Sequence, residues 1–185
     1  MGIDNCEICS PTGSLLYSYK KGAGSELERT RLSWDEYFMK IAFLTAERST
    51  CLRRHVGALV VKDRRILATG YNGAGAGLKD CQEVGCIRDR LGIKSGEHQE
   101  ICHAIHAEQN AIIQCAIYGG QIAGSTVYCT HSPCVICAKM IVNALVARVV
   151  CCHSYSEEAF LKLFEEAKIG YDVMQMPELT IIAKV

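Results

Sequence analysis

The chain has 185 residues, of which 49% are hydrophobic, and its 20 basic residues balance 20 acidic ones. This length favours one domain with a sizeable core. The zero net charge disfavours a clamp for long nucleic acid, which usually carries a basic face, although a mononucleotide needs only one or two cations. No apolar stretch approaches the roughly 20 residues of a membrane-spanning helix, and no signal peptide is recognisable. We therefore expect a cytoplasmic protein.

Cysteine is the unusual feature of the composition, with 12 residues in the chain. Disulfide scaffolds are typical of short secreted proteins. Without a recognisable signal peptide, metal ligation is the better explanation for some of these cysteines. Redox chemistry and burial as small hydrophobic residues are the alternatives.

The first predicted element is a helix that follows residues 1–31, which show no periodic apolar face and are interpreted as an N-terminal extension. Ser33 and Glu36 form a capping box, which marks a helix start. Five apolar residues then recur at helical spacing and are expected in the core: Trp34, Tyr37, Phe38, Ile41 and Leu44. Residues 32–185 are predicted to form one domain.

Strands and helices alternate along this domain. Two strands are predicted over 56–61 and 66–71, followed by a glycine-rich loop and an irregular segment to about residue 102. Helices over 106–118, from 133 and over 154–168 alternate with strands over 126–130 and 149–152, and one or two closing strands end the chain. This order predicts an α/β fold, a three-layer α/β/α sandwich with a central mixed sheet of about five strands.

Two of the predicted helices begin with residues that bind metals. His106 and Glu108 begin one helix, and Cys134 and Cys137, which share a helix face, begin another. A helix N-terminus favours the thiolate form of cysteine. Two thiolates and an imidazole provide three ligands for a tetrahedral zinc and leave the fourth position for water, as in catalytic sites. Glu108 can take a proton from that water and pass it to the substrate.

The combination of H-x-E with P-C-x-x-C is the signature of the zinc deaminases, in which water attacks a ring carbon and ammonia leaves. The alternatives are a structural zinc knuckle with an unrelated histidine and a thioredoxin-like redox pair. A redox pair would not need His106, and a structural site would need a fourth protein ligand. The spacing therefore favours catalysis.

From about residue 33 onward, the chain resembles the deoxycytidylate (dCMP) deaminases of the cytidine deaminase superfamily. The resemblance rests on the segments SWDEYFM (33–39), RSTC (48–51), VGA (56–58), GYNG (70–73), HAEQNA (106–111) and PCVICAKM (133–140). It implies a zinc-dependent hydrolase that converts dCMP to dUMP and ammonia and supplies dUMP for dTMP synthesis. Residues 1–31 are outside the resemblance.

The resemblance also implies residue roles. The catalytic zinc ligands are His106, Cys134 and Cys137, with Glu108 as the proton shuttle; the substrate residues are Asn72 at the sugar, Arg48 and Ser49 at the 5′-phosphate, and Tyr155 near the base. The alternatives are ordinary ones. Arg48 is then a solvated cation at a helix end, Asn72 belongs to an Asn-Gly turn, and Tyr155 only packs.

A second, structural zinc is implied as well, held by Cys51, Cys81, Cys86 and Cys102 and stapling an insertion at about 73–104. His98 and His103 are rivals for the fourth position. Cys6 and Cys9 form a further C-x-x-C pair, without a second pair to complete a site.

Regulation and assembly are also implied by the resemblance. Gly70, Tyr71 and Gly73 match the family segment at which dCTP activates and dTTP inhibits, with Mg²⁺ as the companion of a triphosphate. Gly75 stands where many relatives have proline, so regulation stays open. A homo-oligomer is implied, with a hexamer favoured.

Other functions stay open at this stage. Rivals within the superfamily are tRNA adenosine deaminases, free cytidine deaminases and the deaminase domain of riboflavin synthesis. The balanced charge disfavours the first, Arg48 disfavours the second, and the length leaves no room for the reductase domain that usually accompanies the third. A catalytically inactive zinc-binding interaction module is the alternative outside enzymes, and it would not need Glu108.

Overall fold

The computed structural model describes residues 31–94, 97–153 and 159–177. The helices are α1 (Trp34–Ala46), α2 (Cys81–Val84), α3 (Ile87–Arg90), α4 (Ala107–Tyr118), α5 (Val135–Asn143) and α6 (Ala159–Glu166). The strands are β1 (Gly57–Lys62), β2 (Arg65–Tyr71), β3 (Gly73–Ala74), β4 (Ala104–Ile105), β5 (Thr126–His131), β6 (Arg148–His153) and β7 (Gly170–Val173). The predicted elements are therefore confirmed, although residues 154–158 of the last predicted helix lie outside the described residues.

The central sheet has five strands in the order β2-β1-β5-β6-β7. β1 is antiparallel to both β2 and β5, whereas β5, β6 and β7 are parallel to one another. This confirms the predicted mixed sheet. β3 and β4 form a separate two-stranded sheet.

Helices cover both faces of the central sheet. Strand residues alternate between the two faces, so Leu59 and Val61 of β1 pack with α1 on one face, and Ala58 and Val60 pack on the other face. That second face buries side chains of α4, α5 and α6, namely Ala111, Cys115, Ala138, Ile141, Phe160 and Phe164. The predicted three-layer sandwich is confirmed.

The start of α1 follows the prediction, but its buried face does not. Ser33 and Glu36 form both hydrogen bonds of the capping box. The buried residues of α1 are Phe38, Met39, Ala42 and Ala46. Trp34, Tyr37 and Leu44 are exposed, so their expected place in the core was wrong. The small alanines face the sheet because α1 lies close to β1.

Two glycines allow helices to lie directly on the sheet. A Cβ atom on Gly57 would overlap the carbonyl oxygen of Ala42 in α1, and one on Gly70 would overlap that of Ala107 in α4. Asn110 of α4 also donates from Nδ2 to the carbonyl oxygen of Tyr71 at 2.7 Å. The start of α4 is thus fixed against the end of β2.

An ion-pair network ties α1 to the strands. Arg148 of β6 donates from both terminal nitrogens to Asp35 of α1, at 2.8 and 2.9 Å, and from Nε to Asp172 of β7 at 2.7 Å. Tyr128 of β5 donates to Asp35 at 2.6 Å. The guanidinium of Arg148 lowers the pKa of Asp35, whereas burial and the Asp35 carboxylate raise the pKa of Tyr128.

All of these elements belong to one compact unit, Leu32–Leu179. The predicted boundary between extension and domain stays a prediction. In the described part of the chain, no helix is long and apolar enough to span a membrane.

Candidate active site

A cavity of about 330 Å³ opens where several elements end at one edge of the sheet. Val56 comes just before β1, Asn72 just after β2, and His131 ends β5, so these three residues meet at this edge. The first residues of α4 and the segment before α5 complete the wall with His106, Glu108, Pro133 and Cys134. The cavity therefore lies at the carboxyl end of β5, where ligands bind in open α/β sheets.

The three predicted zinc ligands meet in the wall of this cavity. The Sγ atoms of Cys134 and Cys137 lie 3.5 and 3.4 Å from Nδ1 of His106. Among the described residues, these three form the one group of metal-ligating side chains whose ligand atoms all lie within 4.8 Å of one another. Two helix starts that are 28 residues apart in the chain thus build one cluster.

The spacing fits a tetrahedral zinc ion. An ion about 2.1 Å from a nitrogen and about 2.3 Å from a sulfur holds those two atoms about 3.6 Å apart. The distances from His106 Nδ1 to the two sulfurs agree with this value. The main-chain N–H of His106 donates to Gln109 Oε1 at 2.9 Å, which fixes the residue at the start of α4.

The local electrostatics favour one thiolate in the cluster. Hydrogen bonds from Cys137 and His106 lower the pKa of the Cys134 thiol to about 4. The hydrogen bond between His106 and Cys134 raises the pKa of His106. The hydrogen bond between Cys137 and Cys134, together with burial, raises the pKa of the Cys137 thiol. A bound cation would favour ionisation of the second thiol, because metal ligands bind as thiolates.

Glu108 lies beside the cluster, at the buried start of α4. Its side chain lines the cavity although the residue is only 4% exposed. Burial raises the pKa of this carboxyl to about 7. A carboxyl group with a pKa near neutrality can both accept and return a proton, as a general acid–base residue must.

These features match a known family. The family model of the cytidine and deoxycytidylate deaminase zinc-binding region matches residues 32–153. The chain belongs to this family. The matched region contains His106, Glu108, Cys134 and Cys137, so the predicted family is confirmed by a comparison that is independent of the geometry.

Individual relatives cover most of the described chain. ComE operon protein 2 of Bacillus subtilis (strain 168) is 37% identical over 155 residues, which are 83% of this chain and 78% of that protein. Deoxycytidylate deaminase of Mycobacterium phage D29 is 42% identical over 126 residues, which are 65% of this chain and 95% of that protein. The alignments with two longer proteins that are named deoxycytidylate deaminase cover 40% and 44% of the length of those proteins.

A solved structure of a family member shows the same fold. The crystal structure of dCMP deaminase from the cyanophage S-TIM5 in complex with dCMP and dUMP superimposes with a TM-score of 0.64 at 35% sequence identity. The alignment covers 75% of this chain and 95% of that chain. This confirms the cytidine deaminase-like α/β architecture.

In this member of the family, Asn72 holds the backbone that borders the cavity. Its Oδ1 accepts hydrogen bonds from the Ser49 hydroxyl at 2.7 Å and the Val56 N–H at 2.8 Å. Its Nδ2 donates to the carbonyl oxygen of Arg54 at 2.8 Å. Asn72 lines the cavity, as a sugar contact would require, and in addition it shapes the segment between α1 and β1.

The other predicted substrate residues are placed less directly. Arg48 is exposed and does not contribute to the lining, and Ser49 is buried behind Asn72. Tyr155 lies outside the described residues. The three residues predicted for the effector-binding segment lie where β2 meets the insertion. Gly70 contacts α4, Tyr71 ends β2, and Gly73 begins β3.

The four cysteines predicted to hold a second zinc lie near one another, beside the cavity. Burial is the main cause of the raised pKa of the Cys81 thiol. The three other thiols are close enough to raise this pKa further. Their sulfurs are farther apart than those of the first cluster, because no three of them lie mutually within 4.8 Å. Cys51 and Cys102 also line the cavity, so this cluster adjoins the candidate catalytic site.

Two cations of the cavity were not predicted from the sequence. Arg54 and Arg88 contribute to its lining, and neither belongs to the pattern that identified the metal ligands. Arg88 lies in α3, within the irregular segment, where no local periodicity shows which side chains turn inward. His131 is also in the lining, and burial lowers its pKa to about 4, so its imidazole is neutral at pH 7.

Proposed function

We propose that this chain catalyses the hydrolytic deamination of dCMP to dUMP and ammonia with a zinc ion bound by His106, Cys134 and Cys137. The observation that carries the proposal is the meeting of these three side chains with Glu108 in one cavity. The relatives named deoxycytidylate deaminase and the neighbour bound to dCMP and dUMP support the choice of substrate.

The chain's own residues supply the proton transfers. Zinc in this site supplies a Lewis acid that makes water nucleophilic near neutral pH. Glu108 takes a proton from the attacking water and delivers it to ring nitrogen N3, as the C4–O bond forms. The second water proton then passes through Glu108 to the amino group, the C4–N bond breaks, and ammonia leaves. The reaction consumes one water and regenerates the carboxylate.

The residues around Glu108 suit this role. The low accessibility of Glu108 keeps bulk water from competing for its protons. Neutral His131 adds no positive charge to the wall. Asn72 keeps the segment Arg54–Val56 in place beside the cavity, so that the sugar of a nucleotide meets a preformed surface. We propose that Tyr155 packs near the base.

We further propose that Cys51, Cys81, Cys86 and Cys102 hold a second, structural zinc that links residues 73–104 to the segment between α1 and β1. The effect of the other three thiols on the pKa of Cys81 supports this, and sulfur is a preferred zinc ligand. The small helices α2 and α3 bury few side chains of their own, so a metal would contribute much of the stability of this segment.

Three remaining parts of the proposal rest on the resemblance alone. They are activation by dCTP and inhibition by dTTP at the segment of Gly70, Tyr71 and Gly73, Mg²⁺ with the triphosphate, and a homo-oligomer, with a hexamer favoured. Light scattering with and without each triphosphate tests the assembly. The cytoplasmic location, the extension at 1–31 and the domain at 32–185 stay predictions.

The direct test is ammonia release from dCMP, CMP, deoxycytidine and dCTP, with zinc measured on the same sample. Turnover mainly of dCMP with two zinc ions per chain supports both metal assignments. Turnover with one zinc supports the catalytic site and contradicts the structural one. Zinc without turnover of any of the four compounds contradicts the proposed substrate and favours an inactive zinc-binding module.

A further inference from the structure

Arg88 is a buried cation in the wall of the cavity. The residue is 9% exposed, and it lines the same cavity as His106, Glu108 and Asn72. Its Nη2 donates to the carbonyl oxygen of Lys94 at 2.9 Å. Its Nε atom is buried and has no hydrogen-bond partner among the residues that the structure describes. A guanidinium in this state has capacity for an anionic ligand.

The acidic residues near Arg88 do not neutralise it. The adjacent Asp89 is bound by Arg53, at 2.6 and 2.7 Å, and Arg53 also donates to the carbonyl oxygen of Ile93. Glu97 lines the cavity but is exposed. Glu100, whose pKa the charge of Arg88 helps to lower, is also exposed and is bonded to His98. No carboxylate of the described ranges comes within 4.0 Å of a nitrogen of Arg88. Arg53 therefore holds α3 in place through Asp89. Among the described residues, no direct ion pair compensates the charge that Arg88 contributes to the cavity wall.

We infer that Arg88 binds the 5′-phosphate of the substrate nucleotide and thereby makes the site select a nucleotide over a nucleoside. The inference rests on the proposed function for the nature of the substrate. A nucleotide whose base lies at Glu108 must place its phosphate elsewhere in the same cavity. Arginine suits this contact because its fork of N–H donors matches phosphate oxygens.

The other arginines near the site fit the role less well. Arg54 also lines the cavity but is exposed, so water screens its charge more strongly. Arg48, which the resemblance assigns to the phosphate, is exposed and outside the lining. A contact with buried Arg88 would be stronger, because the charge acts at lower dielectric and its geometry is already fixed by Lys94.

The test compares R88Q with R90Q, which removes an exposed arginine from the same short helix outside the cavity lining. Steady-state kinetics with dCMP and deoxycytidine are measured together with inhibition by dUMP and deoxyuridine. For R88Q, we expect kcat/KM for dCMP to fall about 100-fold, mainly through KM. The values for deoxycytidine and deoxyuridine should stay near those of the wild type, and R90Q should match the wild type throughout.

Two further variants keep the outcome decisive. R48Q tests the rival cation: a selective loss for dCMP in R48Q, with none in R88Q, overturns the inference. If R88Q does not retain zinc, R88K decides, because a lysine ammonium keeps the charge but lacks the planar fork with which arginine bonds the Lys94 carbonyl oxygen and a phosphate from separate nitrogens. A fall of about 10-fold in the dCMP to deoxycytidine preference of R88K supports the inference, and an unchanged preference contradicts it.

The result is separable from the proposed function. If the wild-type protein releases no ammonia from dCMP, the proposed reaction fails. Weaker binding of dUMP by R88Q, measured by calorimetry, with deoxyuridine unaffected, would still support a phosphate contact at Arg88. Equal binding of dUMP by R88Q and the wild type would overturn that contact whatever the reaction.

Discussion

Asn72 and Ser49 are joined through a buried hydrogen bond of 2.7 Å between the Ser49 hydroxyl and Asn72 Oδ1, 23 positions apart in the chain. The same amide bonds the Val56 N–H and the Arg54 carbonyl oxygen. Three of its bonding positions are thus used within the protein. We infer that this residue has a structural task beside any contact with the sugar.

N72D should therefore affect the stability of the protein more than its affinity for the substrate. The carboxylate keeps the two acceptor positions but loses the donor to Arg54, and it places charge against a carbonyl oxygen. We expect the free energy of unfolding to fall by about 2 kcal/mol, measured by urea titration. N110D, which also loses a donor to a backbone carbonyl, is the comparison. Unchanged stability with a raised KM would show that Asn72 acts on the sugar alone.

E108Q should abolish turnover and leave zinc in place. Glutamine keeps the size of the buried side chain but cannot accept and return a proton, so kcat should fall about 1,000-fold or more. E166Q, on the exposed end of α6, is the matched control and should keep full activity. Zinc content and kcat are measured on the same samples. Substantial turnover by zinc-loaded E108Q would refute the proposed mechanism.

G70A should move or destabilise α4. A Cβ atom at this position meets the backbone of Ala107 and Ala111, which cannot shift without moving the helix. We expect a loss of about 2 kcal/mol, seen as a lower Tm in calorimetry, together with lower zinc occupancy because His106 precedes α4. In G75A, the new methyl group meets only side-chain ends at 3.5 Å, so its Tm should stay close to that of the wild type.

The Asp35–Arg148 pair should make stability depend on pH in acid. Arg148 lowers the pKa of Asp35 in the folded protein. The pair therefore stabilises the fold above the ordinary carboxyl pKa, and this contribution disappears as the pH falls through the lowered folded-state pKa.

D35N tests this dependence. Both side chains are about one-third exposed, so solvent screening limits the pair to about 1 kcal/mol. The stability of D35N should be lower than that of the wild type at neutral pH, and the difference should shrink in acid. Urea unfolding at about pH 7 and about pH 3 measures it. In D172N, which removes the more exposed partner of Arg148, the effect should be smaller; an equal effect would contradict the assignment to Asp35.

C81S should separate the two proposed metals. Removing one thiol of the second cluster should reduce the zinc content from two ions to one per chain, with the catalytic ion retained. C152S removes a cysteine outside both clusters and should keep both ions. Zinc content by atomic absorption after dialysis gives the result. Two zinc ions in C81S would show that this cluster does not hold the second ion.

The fold class and a candidate set of metal ligands could be predicted from the sequence. Capping at Ser33 and the apolar run of β1 are local patterns, set by residues a few positions apart. The spacing of His106, Glu108, Cys134 and Cys137 carries its chemistry in the residue types themselves. Their meeting in one cluster could not be predicted from the order of elements alone, because α4 follows β4 of the separate two-stranded sheet and α5 follows β5 of the central sheet.

Which other side chains reach the site depends on contacts that no local pattern shows. The face of α1 that is buried depends on how closely the helix approaches Gly57, so alanines face the sheet and Trp34 does not. Arg88 lies in the wall because Arg53 and Lys94 hold a segment without periodicity. Such contacts join residues far apart in the chain or in irregular segments, where no local pattern shows in which direction a side chain points.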